Sequence, residues 1–241
     1  MAGETHEERL ARWARGGKPG AAPVAAATVL PIRDTAEGVE VLMLRRNSKL
    51  AFVGGMWVFP GGRVDEADAA GLSPDDELEI ARRAAVREAR EESGLEIAAD
   101  QLVAFSHWTP PPITPKRFLT WFFLVEAPAG EVTIDHGEIR DHAWMRPAEA
   151  LRRRDAQEIE LAPPTFVSLQ VLARFGGVAE SLEAARASEP ERFETRIAMD
   201  PGGPVALWQG DAGFESGDAA VPGPRHRLWM LDAGWRYERS S

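Results

Sequence analysis

The segment that most constrains this chain is Arg87-Glu88-Ala89-Arg90-Glu91-Glu92-Ser93-Gly94-Leu95. On a helix Glu88, Glu91 and Glu92 stand in an i, i+3, i+4 relation, so the three carboxylates project from one face within about 100° of arc. Like charges at that spacing cost roughly 0.2–0.5 kcal/mol per pair unless positive charge sits among them. Two sources fit the sequence. Arg82, Arg83, Arg87 and Arg90 on the same segment would make a solvated face laced with ion pairs. A hard divalent cation that prefers oxygen ligands, such as magnesium, would make a binding site. Ser73-Pro74-Asp75-Asp76 reads as the helix start, with a capping Ser, Pro in the first turn and acids beside it, and Gly94 reads as the stop.

The flanking sequence alternates strand and helix patterns. Val24–Leu30, Val39–Leu44 after a turn at Asp34–Gly38, and Met56–Phe59 read as strands. Gln101–Thr109 and Arg117–Glu126 also read as strands, separated by a loop carrying Pro110, Pro111, Pro112 and Pro115. Pro147 opens a short helix, Pro164–Phe175 and Val178–Ala187 form a helix pair, and Phe193–Met199, Pro204–Trp208 and His226–Leu231 are further strands. Residues 1–22 are polar and Gly-rich, and read as a flexible tail or short helix outside the core. No repeat or linker is visible, so residues 23–241 are expected to form a single domain, with 163–241 as a C-terminal extension.

Composition narrows the function classes. The 241 residues are 44% hydrophobic, enough for a full core, and contain no Cys, which removes disulfides, thiolate zinc sites and Cys nucleophiles. A net charge of −10 argues against a basic face for nucleic acid. Ala21–Ile32 is interrupted by Pro23 and Pro31 and is shorter than the roughly 20 residues a membrane span needs. Its acidic upstream flank is unlike a signal peptide, so the expectation is a cytoplasmic protein without a membrane partner. None of the five His residues has metal-ligand spacing; His107, beside the Pro loop, is the one to follow.

Phe59-Pro60-Gly61-Gly62 lies between a strand and the acidic helix, where a Gly pair lets backbone approach a ligand closely. With Arg87-Glu88, Glu91-Glu92, Gly94 and Leu95 it resembles the Nudix box: Gly, five residues, Glu, seven residues, Arg-Glu, an apolar residue, any residue, Glu-Glu, any residue, Gly and an apolar residue. Glu79 is followed by seven residues and then Arg87-Glu88, so the second half matches in full. Sixteen residues separate Gly62 from Glu79, so Asp65 to about Asp75 reads as a loop insertion within a box spanning about 62–95. The resemblance implies an α/β/α sandwich with a mixed β-sheet and a C-terminal helical and β elaboration. It implies Mg2+ or Mn2+ held by Glu88, Glu91, Glu92 and the Gly62 carbonyl, Glu88 or Glu91 as base, and Arg87 orienting the carboxylates. Glu79 would support the loop, and Glu138 is the candidate for an additional acid outside the box. The activity implied is hydrolysis of the diphosphate bond of a nucleoside diphosphate derivative, a small-molecule substrate. Homodimers are common in the family.

Outside the box the chain resembles the branch containing CoA and acyl-CoA diphosphatases, through Leu44-Arg45-Arg46-Asn47-Ser48, Met56–Gly62, Trp108-Thr109-Pro110, Arg117-Phe118 and Pro163-Pro164. The match to the CoA motif is partial, because Ala51 stands where Arg is expected four positions before Gly55. Pro110 fits the position of a proline that marks ADP-ribose pyrophosphatases, which keeps an ADP-ribose or NADH enzyme open. A non-catalytic nucleotide-sensing module would be expected to have lost box carboxylates. Arg45, Arg46, Lys49, Arg63, Lys116 and Arg117 are the cations placed to meet phosphates, or else solvated strand ends. Trp57 and Trp108 could stack on a base, or pack in the core.

Overall fold

The computed structural model describes residues 6–16, 20–47, 55–134, 136–231 and 234–240. Lys49, Ser48 and Ala51 of the sequence reading lie outside them. In chain order the elements are helix α1 (His6–Gly16), strands β1 (Val24–Thr35), β2 (Gly38–Arg46), β3 (Trp57–Val58) and β4 (Gly61–Arg63), and helix α2 (Glu77–Ser93). Strands β5 (Val103–Thr109), β6 (Phe118–Glu126) and β7 (Ile139–Met145) follow, then helices α3 (Pro147–Asp155), α4 (Pro163–Leu172) and α5 (Val178–Arg186). The chain closes with strands β8 (Glu191–Glu194), β9 (Arg196–Asp200), β10 (Gly203–Leu207), β11 (His226–Leu231) and β12 (Gly234–Arg239).

The chain groups into two compact units, which the expectation of a single domain from residue 23 did not distinguish. The larger comprises Val24–His107 and Leu119–Glu191. Its sheet runs β3-β2-β1-β6-β5, with β4 paired to β1 and β7 to β2. Ala27, Val29, Leu42, Leu44 and Phe123 of the sheet pack with Ala81, Ala84, Ala85 and Ala89 of α2. Alanine at i, i+3, i+4 and i+8 gives the helix a thin face, so its backbone can lie close to the sheet. The strand β4 that carries Gly61 and Gly62 is hydrogen-bonded to β1 in the register Thr28↔Gly61 and Ala27↔Gly62. A Cβ at Gly61 would fall 2.7 Å from the Thr28 Cα, so this close approach requires Gly.

The helix start differs from the sequence expectation. Ser73 forms a turn, its N–H donating to Asp76 Oδ2 at 2.9 Å and its hydroxyl accepting from Asp75 N at 3.3 Å. The helix itself begins at Glu77, without a side-chain cap. Gly94 ends it as expected, at φ +69° with its N–H on the Arg90 carbonyl.

The smaller unit comprises Met1–Pro23, Trp108–Phe118 and Arg192–Ser241, so Pro163–Glu191 of the expected C-terminal extension belongs to the larger unit. Here β9–β12 form an antiparallel meander in the order β12-β11-β10-β9. The segment expected to be a flexible tail or short helix outside the core carries α1, whose Leu10 is buried. The single strand expected over Phe193–Met199 is interrupted at Thr195, whose N–H donates to the Thr109 carbonyl at 3.0 Å and whose hydroxyl accepts from Trp208 Nε1 at 3.0 Å. Trp108 stacks on Phe193 with centroids 3.8 Å apart, and Trp208 meets their edges.

Beneath the meander, Arg227 and Asp211 form a fully buried bidentate pair at 2.7 and 2.6 Å. Asp211 also accepts from the N–H groups of His226 and Gly213. Burial pushes its carboxyl up, but the Arg227 hydrogen bond and the two amides outweigh burial and hold it below the ordinary carboxylate range. Removing one member of such a pair leaves a buried charge uncompensated, so Asp211→Ala should lower unfolding free energy in urea by about 3–5 kcal/mol at pH 7. Because the folded pKa is depressed, the contribution is present above the unfolded value of 3.8 and is lost as pH falls through the folded one. The gap between wild type and Asp211→Asn should therefore narrow in acid urea melts.

Candidate active site

Every residue of this site belongs to the larger unit. Glu88 and Glu92 lie on the same side of α2 as Ala81, Ala84, Ala85 and Ala89, so the alanine face that seats the helix on the sheet also brings these carboxylates to the Gly61-Gly62 strand. Glu92, one of the buried charged residues, accepts from the Gly61 N–H at 2.9 Å and from Arg46 Nη1 at 3.5 Å. Arg46 bridges onward, its Nη2 donating to Glu138 at 2.8 Å, while the neighbouring Asn47 N–H donates to the Glu138 carbonyl at 2.7 Å. Glu88 lies one turn away against Gly62, where an added Cβ would overlap its carboxylate. Glu91, on the outer side, is 59% exposed in its side chain.

Arg87 organises the other side. Its Nη1 donates to Glu88 Oε1 at 2.9 Å and to Glu91 Oε2 at 3.3 Å. Its Nε and Nη2 form a fork on Asp68 at 3.2 and 2.9 Å, and Nη2 also reaches the Arg63 carbonyl at 2.8 Å.

The electrostatics show what these residues lack. Burial pushes the Glu92 carboxyl up to about 8; the Gly61 amide and Arg46 oppose the shift, and Glu88 and Glu138 reinforce it. Burial also raises Glu88, against the pull of Arg87, and the neighbouring Glu91 adds to the rise. Among the described residues no three acidic or imidazole side chains converge into a finished metal site. The donor set nevertheless suits a hard cation: all-oxygen, acidic beyond what Arg87 and Arg46 neutralise, and beside the Gly61-Gly62 backbone.

The residues named from sequence sort as follows. Glu88, Glu91, Glu92, Gly62, Arg87 and Glu138 are brought together, with Arg46 among them as a link between two carboxylates. Arg63 contributes its carbonyl, and its side chain, like that of Arg45, is exposed. Lys116 and Arg117 lie in the smaller unit, where Arg117 donates to the Pro110 carbonyl at 3.4 Å. Glu79 does not support the Gly loop: half exposed, it stands 3.9 Å from Arg82 on its own helix. His107 is buried beside Trp121 and Glu77, and Trp57 and Trp108 are buried too, so these rings serve packing. Asp68 was missed because it falls in the stretch counted as insertion. Its signal was its spacing, with five residues between it and Gly62.

This loop, helix and carboxylate geometry agrees with the comparison to known proteins, in which the NUDIX domain matches residues 22–164. The chain belongs to the Nudix family. A Caenorhabditis elegans protein assigned as nudix hydrolase 7 is 30% identical over 172 residues, 56% of this chain and 56% of that protein. The chain thus spans about half the length of this curated relative. The crystal structure of a Nudix hydrolase from Alicyclobacillus acidocaldarius superposes with a TM-score of 0.61 at 24% identity, covering 70% of this chain and 97% of that one. This likeness shows the Nudix fold, the α/β class expected from sequence.

Two outcomes test the site. Gly62→Ala should displace the Glu88 carboxylate and weaken Mg2+ binding about 10-fold or more by calorimetric titration. For Glu92 the folded pKa lies above the unfolded value of 4.5, so its contribution to stability is present below pH 4.5 and is lost as pH rises through about 8. In chelator, Glu92→Gln should therefore be more stable than wild type at pH 9, and the advantage should disappear at pH 4.

Proposed function

We propose that this Nudix protein is a divalent-metal-dependent hydrolase that cleaves the diphosphate linkage of a nucleoside diphosphate derivative, with CoA or acyl-CoA as the preferred substrate. The observation that carries the reading is the seating of Glu92 on the Gly61 amide and of Glu88 against Gly62, with Arg87 bonding both Glu88 and Glu91. A nucleotide-sensing module would have no use for three carboxylates crowded on one helix edge.

Glu88, Glu91, Glu92 and the Gly62 carbonyl would hold Mg2+ or Mn2+. Such an ion offsets the negative charge of a diphosphate and makes a water more acidic. Glu88 or Glu91 would take the proton of the attacking water; Glu91 is the more exposed of the two, and both are bonded to Arg87. The exposed guanidinium groups of Arg45 and Arg63 offer planar forks to phosphate oxygens. Arg46 is committed to Glu92 and Glu138, so its part is to hold those acids and not to meet substrate. The reaction is water attack on one phosphorus with loss of the other phosphate group, and no side chain here needs to become covalently modified. The CoA preference rests on the Gly55 to Phe59-Pro60-Gly61-Gly62 spacing.

The test is a product-resolved screen with Mg2+ over CoA, acyl-CoA, ADP-ribose, NADH and dinucleoside polyphosphates. Release of 3',5'-ADP with phosphopantetheine is the expected result, and Glu91→Gln should lower turnover by about 10²–10⁴-fold. AMP from ADP-ribose as the principal product would replace CoA in the proposal. No turnover of any substrate by the wild type would overturn it in favour of a sensing module.

A further inference from the structure

The Nudix likeness aligns Glu79 with the first acid of the box, but the structure gives Glu79 no route to the site. It precedes Arg87 by eight residues, about 12 Å along the helix axis at 1.5 Å per residue. Its carboxylate is turned to Arg82 at 3.9 Å, and its side chain is 49% exposed.

Asp68 has the opposite properties. It is 5% exposed, its carboxylate accepts the Asp65 N–H at 2.8 Å, and both of its oxygens are engaged by the Arg87 fork. A fork on a buried carboxylate fixes the guanidinium plane, and the remaining nitrogen of Arg87 is thereby aimed at Glu88 and Glu91. The competing acid, Asp65, is exposed and 3.8 Å away, too far for a hydrogen bond. One turn earlier on α2, Arg83 holds the same loop through the Ala70 carbonyl at 2.8 Å. Five residues separate Gly62 from Asp68, which leaves the extra length of the loop after Asp68, between it and the helix start at Glu77.

We infer that Asp68, and not Glu79, is the acidic positioning residue for Arg87, and that through Arg87 it holds Glu88 and Glu91 in place to receive the cation. The inference rests on the metal-dependent reading of the site, but it concerns this chain's own hydrogen bonds and is read without turnover. Asp68→Asn keeps the shape and removes the charge that neutralises Arg87, so Arg87 then competes with the cation for Glu88 and Glu91.

The experiment is Mn2+ titration of the metal-free full chain by electron paramagnetic resonance, with kcat and KM measured on whichever diphosphate the screen identifies. Asp68→Asn should weaken Mn2+ binding about 10–100-fold, and lower kcat with KM near wild type. Asp68→Glu should recover part of the loss, and Glu79→Gln should match wild type in both. Arg83→Met, which removes the bonds to the Ala70 and Asp68 carbonyls but leaves the Arg87 fork on the Asp68 carboxylate, should lower stability in urea and weaken Mn2+ binding less than Asp68→Asn does. In an Arg87→Lys background the effect of Asp68→Asn should vanish, because a Lys cannot reach Asp68 and Glu88 together. Loss of Mn2+ affinity in Glu79→Gln, or an Asp68→Asn protein altered only in stability, would overturn the assignment. Should Asp68→Asn not fold, Asp68→Glu and Glu79→Gln decide it: wild-type affinity in the former with loss in the latter overturns it, and the reverse upholds it. A chain that binds Mn2+ as described but turns over no diphosphate would sink the proposed activity alone.

Discussion

The site depends on how closely α2 lies against the sheet. Only a helix whose buried face is alanine can bring its backbone near enough for Glu92 to reach the Gly61 amide and for Glu88 to rest on Gly62. A Cβ at Gly61 would run into the β1 backbone, and one at Gly62 would displace the Glu88 carboxylate. Close packing and close catalytic geometry are therefore one constraint: loosening the alanine face would withdraw the carboxylates, and enlarging the glycines would push them out.

That closeness removes Glu88 and Glu92 from water, and their carboxyls are correspondingly harder to ionise. Arg46 and Arg87 compensate in part, each shared between two acids or more. Arg46 spans Glu92 and Glu138, and Arg87 spans Asp68, Glu88 and Glu91. The arrangement leaves an unmet demand for positive charge beside the Gly61-Gly62 backbone. In the smaller unit the balance is different, since Arg227 and Asp211 neutralise each other completely and every Asp211 oxygen is bonded. One buried charge cluster is finished and structural, whereas the other is left open to a ligand.

Much of this could be read in the chain before it was folded. The i, i+3, i+4 spacing of Glu88, Glu91 and Glu92, the Gly pair upstream and the Gly94 stop identified the helix, its functional edge and its end. The strand runs from Val24, Val39 and Arg117 were found, while β7 and β12 were not, because His142, Arg140, Arg236 and Glu238 give them polar, poorly alternating patterns. α1 was read as a tail or short helix outside the core because its polar residues hide the buried Leu10.

What the sequence determined by itself was local chemistry: which residues share a helix face, where the backbone can approach closely, and which charge types must be balanced. The tertiary structure decided the pairings. Arg46, by sequence one more basic residue near a phosphate site, became a holder of carboxylates because β2 carries it to Glu92 and Glu138, while Arg87, expected to orient the box carboxylates, is itself held by Asp68. Asp68 took the place that spacing along the helix had offered to Glu79, because a guanidinium is satisfied by whichever carboxylate lies in its plane at hydrogen-bond distance. Distance in space, which a loop of any length can close, is not written in distance along the chain.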